Sequence, residues 1–240
     1  MVWGSVLPLC ADGDNPTVTY RLLPWDTDAG GIFAVSGSEY VELNGAPNAL
    51  SPEYSYSGPS PMVLYKKETL GDGSSAFMPC QSLALKAGVS SYLLLLYRTD
   101  AQANRAQLYP LTFPSGGGAA FILFNFTSLP IKAKLGEYVI DLGAGQSHAV
   151  GEKKLGLKDY AFFCKIASQP EGRWKLIYND FIHLPPKATI LFFISDQVGQ
   201  AAGNEYGGIR TKKVVDYPLS EEARVESLTT QRVKSEIGAY

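Results

Sequence analysis

Apolar and polar residues alternate one by one along most of this 240-residue chain. In "TVTYRL", Val18, Tyr20 and Leu22 fall on one side and Thr17, Thr19 and Arg21 on the other. In "IKAKL", Ile131, Ala133 and Leu135 alternate with Lys132 and Lys134, and "WKLIYN" puts Trp174, Leu176 and Tyr178 on a common side. A period of two is the signature of a half-buried strand. Two runs break the alternation: "LLLL" at 93–96 and "ILFFI" at 190–194 are apolar without interruption. Both are too short for buried helices and each follows a break, "KAG" or "PPK", so they predict central strands covered on both faces. The 24 glycines and 15 prolines gather at the joints between such runs, where they set turns and stop helices. Many short strands with this punctuation predict β-sandwiches.

The pattern also occurs twice. "GSEYVEL" at 37–43 and "GEYVIDL" at 136–142 share "EYV". Sliding Glu39 onto Glu137 brings "FAVSGSEYV" over "IKAKLGEYV", "VLYK" at Val63 over "AFFC" at Ala161, and "YLLLLY" at Tyr92 over "ILFFIS" at Ile190. The prediction is an all-β chain of two tandem, internally duplicated antiparallel β-sandwich domains. They span residues 16–114 and 119–218, after an N-terminal segment 1–15, and are joined by a glycine linker at 115–118. Residues 219–240 read as a short C-terminal helix or tail: Ser220 can open a helix before Glu221 and Glu222, and Val225, Leu228, Val233 and Ile237 lie partly on one face.

Charge narrows the function classes. The net charge is −2 with basic residues scattered, which is not the footprint that a phosphate backbone demands, so no nucleic-acid partner is expected. No run approaches the roughly 20 apolar residues of a membrane span. The opening "MVWGSVLPLCA" reads either as a secretory signal without its basic start or as an ordinary apolar terminus packed on a sheet. The first alternative places the protein outside the cytoplasm, in the periplasm or beyond. The cysteines are Cys10, Cys80 and Cys164, and a Cys80–Cys164 disulfide would have to link the two halves. Two small buried hydrophobes are the expectation.

Motifs for chemistry are sparse. "GQSHA" at 145–149 approximates a nucleophile elbow, but no helix pattern follows Ser147 and His148, so a loop entering a strand is expected. His148 and His183 have no ligand-like neighbours, and "DGDN" and "DTDAGG" read as turns rather than calcium loops. No metal, cofactor or catalytic residue is assigned. "NFT" at Asn125 is a formal glycosylation sequon within a strand pattern and receives no role. Aromatic residues remain as the binding candidates. Tyr54 and Tyr56 share one side of "SPEYSYSGPSP", and with Trp25 and Trp174 they can stack on a sugar or anchor a protein partner. The competing reading, preferred for the tyrosines, is that they cap their own sandwich.

Residues 109–147, "YPLTFPSGGGAAFILFNFTSLPIKAKLGEYVIDLGAGQS", resemble a pattern found in uncharacterised exported bacterial proteins made of two tandem β-sandwich domains. Phe113, Pro114, Asn125, Phe126, Thr127, Pro130 and Gly136 match it, while Ala144–Gly145 departs from a "PG". The resemblance implies two sandwiches and export, and no activity. The leading expectation is therefore a non-catalytic exported binding or scaffolding protein of a cell-envelope assembly, with an unidentified protein or glycan as partner. A carbohydrate-binding protein using exposed Tyr and Trp rings is the alternative. A hydrolase with a carboxylate pair between the domains ranks third.

Overall fold

The computed structural model describes residues 15–25, 27, 29–98, 104–113, 118–196 and 209–217. The signal-like residues 1–14, linker residues 115–117 and the C-terminal segment 219–240 lie outside them. The first half forms β1 (Thr17–Trp25), β2 (Ile32–Ser36), β3 (Glu39–Glu42), β4 (Glu53–Ser57), β5 (Met62–Thr69), β6 (Ser75–Leu83), β7 (Ser91–Arg98) and β8 (Asn104–Pro110). The second half forms β9 (Ala120–Phe126), β10 (Ile131–Leu135), β11 (Tyr138–Leu142), β12 (Ser147–Gly151), the single-turn helix α1 (Glu152–Leu155), β13 (Ala161–Ser168), β14 (Lys175–His183), β15 (Thr189–Asp196) and β16 (Ile209–Asp216).

The strands make four sheets in two pairs. The first half has the sheet orders β4-β1-β7-β8 and β3-β2-β5-β6, and the second half has β12-β9-β15-β16 and β11-β10-β13-β14. The order is the same in both halves, so the chain is two tandem sandwiches of one topology. Most pairings are antiparallel, but β1–β7 and β9–β15, at the heart of the inner sheets, are parallel. A parallel pair needs a long crossover. Here the crossover carries the whole of the opposite sheet together with the edge strand β4 or β12 of the same sheet.

The two parallel ladders align pair for pair: Thr19↔Ser91 through Trp25↔Tyr97 corresponds to Ala120↔Thr189 through Phe126↔Ser195. Burial follows this alignment. Tyr20, Leu22, Tyr92, Leu94 and Leu96 fill the first core, and their counterparts Phe121, Leu123, Ile190, Phe192 and Ile194 fill the second. Elsewhere the sequence alignment is out of step. The β2–β3 hairpin pairs Phe33 with Glu42, and the β10–β11 hairpin pairs Lys132 with Asp141. Phe33 therefore corresponds to Lys132 and not to Ile131, and the two "EYV" tripeptides sit one residue out of register. A slip of one residue exchanges the faces of a strand. Tyr40 is accordingly exposed, while Tyr138 packs against the second core. Likewise Val63 corresponds to Lys165 rather than Ala161, because Phe33 pairs with Tyr65 where Lys132 pairs with Ala167.

The alternate faces of β1, β7, β9 and β15 form a third cluster that belongs to neither sandwich alone. Leu23, Leu93, Leu95, Tyr109 and Leu111 of the first half meet Ile122, Phe124, Leu191, Phe193 and Val214 of the second. The inner sheets thus lie face to face, and the molecule is a stack of four sheets. This is why the two continuous apolar runs are buried on both faces. Fully burying one such side chain stabilises by about 1.5–3 kcal/mol, so a seam of ten is core-like. Trp25 and Phe126, counterparts in the two halves, approach each other there at 6.2 Å between centroids. A two-sided polar clamp rims the seam: the Arg21 guanidinium grips both carboxylate oxygens of Asp216, one at 3.0 Å, and its Nε donates to the Ser51 carbonyl at 2.9 Å. The counterparts of Arg21 and Asp216 are Ile122 and Leu111, both buried in the same seam.

Candidate binding face

Alternation placed Tyr54 and Tyr56 on one side of β4, and that side is the inside. Tyr54 is 7% exposed, stacks on Tyr20 at 5.4 Å, donates its hydroxyl to the Asn44 carbonyl and accepts the Asn44 N–H. Tyr56 is 5% exposed and donates to the Pro59 carbonyl at 2.6 Å. Burial raises both phenol pKa values. The reading of these two rings as an exposed ligand platform is corrected accordingly: they cap the first sandwich. Trp25 lies at the seam, edge-on to Phe193 at 5.2 Å, with the Lys212 ammonium 4.1 Å above its ring. Trp174 alone among the four is exposed. The four rings do not form one surface.

The "GQSHA" segment is a turn that enters β12 at Ser147, as expected, with Ser147 opposite Phe124 and His148 opposite Leu123. Phe124 faces the seam and Leu123 the second core, so the serine and histidine point to opposite faces of the strand and cannot act as a pair. His148 instead meets the Tyr138 hydroxyl at 3.3 Å. Ser147 and His148 line an open cleft of about 430 Å³ at the edge of the seam, with Lys86, Pro110, Gln146 and Asp141 among its walls. Among the described residues Asp141 is the one carboxylate there, where glycosidic hydrolysis by paired carboxylates needs two. No group of three metal-ligating side chains occurs among the described residues, and Asp12, Asp26 and Asp28 lie outside them. Cys80 is exposed on β6 and Cys164 buried on β13, both free; burial pushes the Cys164 thiol up to about 12.

The outward-facing sides of the two outer sheets differ. On the first, Phe33, Tyr40, Tyr65 and Phe77 cover one another: Tyr40 stacks on Phe77 at 3.9 Å and meets Tyr65 edge-on, and Phe33 meets Phe77 at 4.9 Å. On the second, the positions of Phe33, Val35 and Val63 are taken by Lys132, Lys134 and Lys165. Lys134 and Lys165 are direct cross-strand partners. Lys132 pairs with Asp141 and Lys134 with Glu137, each at 3.3 Å. Among the described residues Lys165 has no carboxylate in reach; its ammonium lies 5.0 Å from the Phe163 ring. Phe163 in turn touches Phe181, which is 68% exposed, and at the other end of the face Lys132 stands 5.3 Å over Trp174. Leu176 and Val139 are also exposed on this sheet.

Trp174 and Leu176 share the outer side as alternation predicted, but Tyr178 does not. The ladder β13–β14 shifts between Ile166 and Ala167, leaving Ile177 as an extra residue in β14. Such a bulge reverses the alternation beyond it, so Ile177 and Tyr178 both turn to the core. The same irregularity recurs in the first half, between Leu64 and Tyr65, with Cys80 as the extra residue. Of the face's residues, Lys132 and Lys134 were legible as outward-pointing, whereas Lys165, Phe163 and Phe181 join them only through the register of β13 and β14. Comparison with models of known protein families and with curated proteins yields no match to this chain.

Proposed function

We propose that this chain is a non-catalytic binding module of an exported, scaffolding kind, and that the outer face of β11-β10-β13-β14 is its recognition surface. The observation that carries the reading is the combination on that face of a two-thirds exposed Phe181, an exposed Trp174 and three lysines, on a sheet whose reverse side is core. Phe163 and Phe181 make a contiguous apolar pair bordered by Lys165, and contiguous exposed apolar surface with a polar rim marks interaction sites. The four-sheet block behind them supplies rigidity, so the face is preorganised and little ordering accompanies binding. Carbohydrate binding stands as a second reading, supported by the exposed indole of Trp174 beneath a lysine.

The test is co-sedimentation of the purified protein with envelope material from the organism that makes it. The parent protein is expected to sediment, and a Trp174→Ser/Phe181→Ser variant to remain in solution with an unchanged Tm. A parent that stays in solution, or a variant that sediments equally, contradicts the proposal.

A further inference from the structure

We infer that the outer face of β11-β10-β13-β14 takes an acidic glycan, a linear polysaccharide carrying carboxylate or sulfate groups. The inference rests on the binding-module reading and names its ligand class. The arrangement of the face decides the class. An interface for a folded protein has an apolar centre and a polar rim, and a membrane-docking face needs contiguous apolar surface with cations at its edge. Here the order is inverted. Lys132, Lys134 and Lys165 occupy the middle strands, with rings at both ends: Phe163 and Phe181 at one, Trp174 at the other. From Phe163 to Ala167, the partner of Lys132, β13 runs four residues, roughly 13 Å at the strand rise, enough for a few sugar rings. A pyranose lying flat offers its C–H face to an aromatic ring while its acidic group reaches a lysine. A strand of acidic sugars can do both along this face.

Two further observations point the same way. Like charges directly opposite one another in a sheet are destabilising, yet Lys134 faces Lys165 and Lys165 has no acidic partner among the described residues. The first sandwich, with the same topology and the same bulge, holds apolar residues at all three positions. The fold therefore does not require lysine there; Asp141 and Glu137 offset Lys132 and Lys134, and an anionic ligand accounts for Lys165.

The experiment is affinity electrophoresis and calorimetric titration of the full chain with polygalacturonate, dextran sulfate and unmodified dextran, beside single-stranded DNA and vesicles containing phosphatidylglycerol. Retardation by one or both acidic glycans and not by unmodified dextran is expected, weakening as salt is raised; the carboxylated and sulfated probes separate the two sources of charge. Lys134→Gln/Lys165→Gln should weaken that binding at least tenfold with a little-changed Tm, since the like-charge pair it removes offsets the loss of the exposed Lys134–Glu137 pair. Trp174→Ala should weaken it by a similar factor. No binding to either acidic glycan, binding unaffected by these substitutions, or tighter binding of DNA or vesicles would overturn the assignment. If the envelope sedimentation above is lost in the Trp174→Ser/Phe181→Ser variant but no acidic glycan binds, the ligand class falls and the binding module stands. If that variant sediments like the parent, both fall.

Discussion

Asn125 shows how much one buried polar side chain can organise. It is fully buried, and the two hydrogens of its amide serve the carbonyls of Leu129, Gly143 and, shared and longest at 3.3 Å, Leu142, while its oxygen accepts from the Thr127 N–H and hydroxyl. One residue thereby ties the β9–β10 turn to the β11–β12 turn. "NFT" was visible in the sequence, but as a sequon without a role, because nothing in a strand pattern says which carbonyls a side chain will reach. Asn125→Ala leaves up to three carbonyls without this donor, at about 1–3 kcal/mol for each one that stays buried and unsatisfied. The expected loss is on the order of 3 kcal/mol in denaturant unfolding, and a loss within 0.5 kcal/mol, the usual range of neutral surface changes, would show that water replaces the amide. The tyrosines illustrate a different limit. Alternation grouped Tyr54 with Tyr56 correctly, but which side of β4 is the core depends on β1, where Tyr56 pairs with Val18 and Tyr54 with Tyr20.

At the scale of the element, period and order were legible, and register was not. Val18, Tyr20 and Leu22, or Ile131, Ala133 and Leu135, are buried as their alternation predicts. The two apolar runs are central strands. The failures come from shifts of register: the extra Ile177 in β14, the one-residue displacement that makes the shared "EYV" a coincidence of letters, and the longer one that sets Val63 against Lys165 instead of Ala161. The hairpin glycines are the better marker, since Gly37 and Gly136 occupy the same turn position at φ +63° and +61°. Their surroundings differ. A Cβ on Gly37 meets nothing, whereas one on Gly136 would collide with the Leu155 carbonyl. Gly37→Ala should therefore cost only the left-handed conformation, about 1–2 kcal/mol, and Gly136→Ala clearly more because backbone must move. Equal losses in paired melts would mean that the helical turn carrying Leu155 yields freely.

For the whole molecule, the duplication was readable as a repeated order of patterns, but the seam was not, because a run buried on both faces does not name what covers it. Burial keeps the phenols of Tyr20 and Tyr109 neutral and raises their pKa above the ordinary value near 10, and Cys164 is shifted in the same direction. Raised folded pKa values mean that this stability is complete below the unfolded pKa values and is lost as pH rises. The Tm should thus hold up to about pH 9 and fall steadily from pH 9–10 upward, as thiol and then phenols ionise in the unfolded chain. A Tm flat to pH 11 would place these groups in water.

The seam also makes the two sandwiches one folding unit. Leu93, Leu95, Phe124 and Phe193 are shared between them, and the Arg21–Asp216 pair spans the joint. The most direct measurement is equilibrium unfolding in guanidinium chloride of two single-tryptophan variants, one keeping Trp25 and one keeping Trp174 with the other two of the three tryptophans changed to Phe, followed together by far-ultraviolet circular dichroism and tryptophan emission; Trp25 reports from the seam and Trp174 from the outer face. The account predicts one transition with the same midpoint by both probes, as for a single cooperative unit. Two separated transitions, one seen at Trp174 and the other at Trp25, would show two independent sandwiches and contradict the shared core.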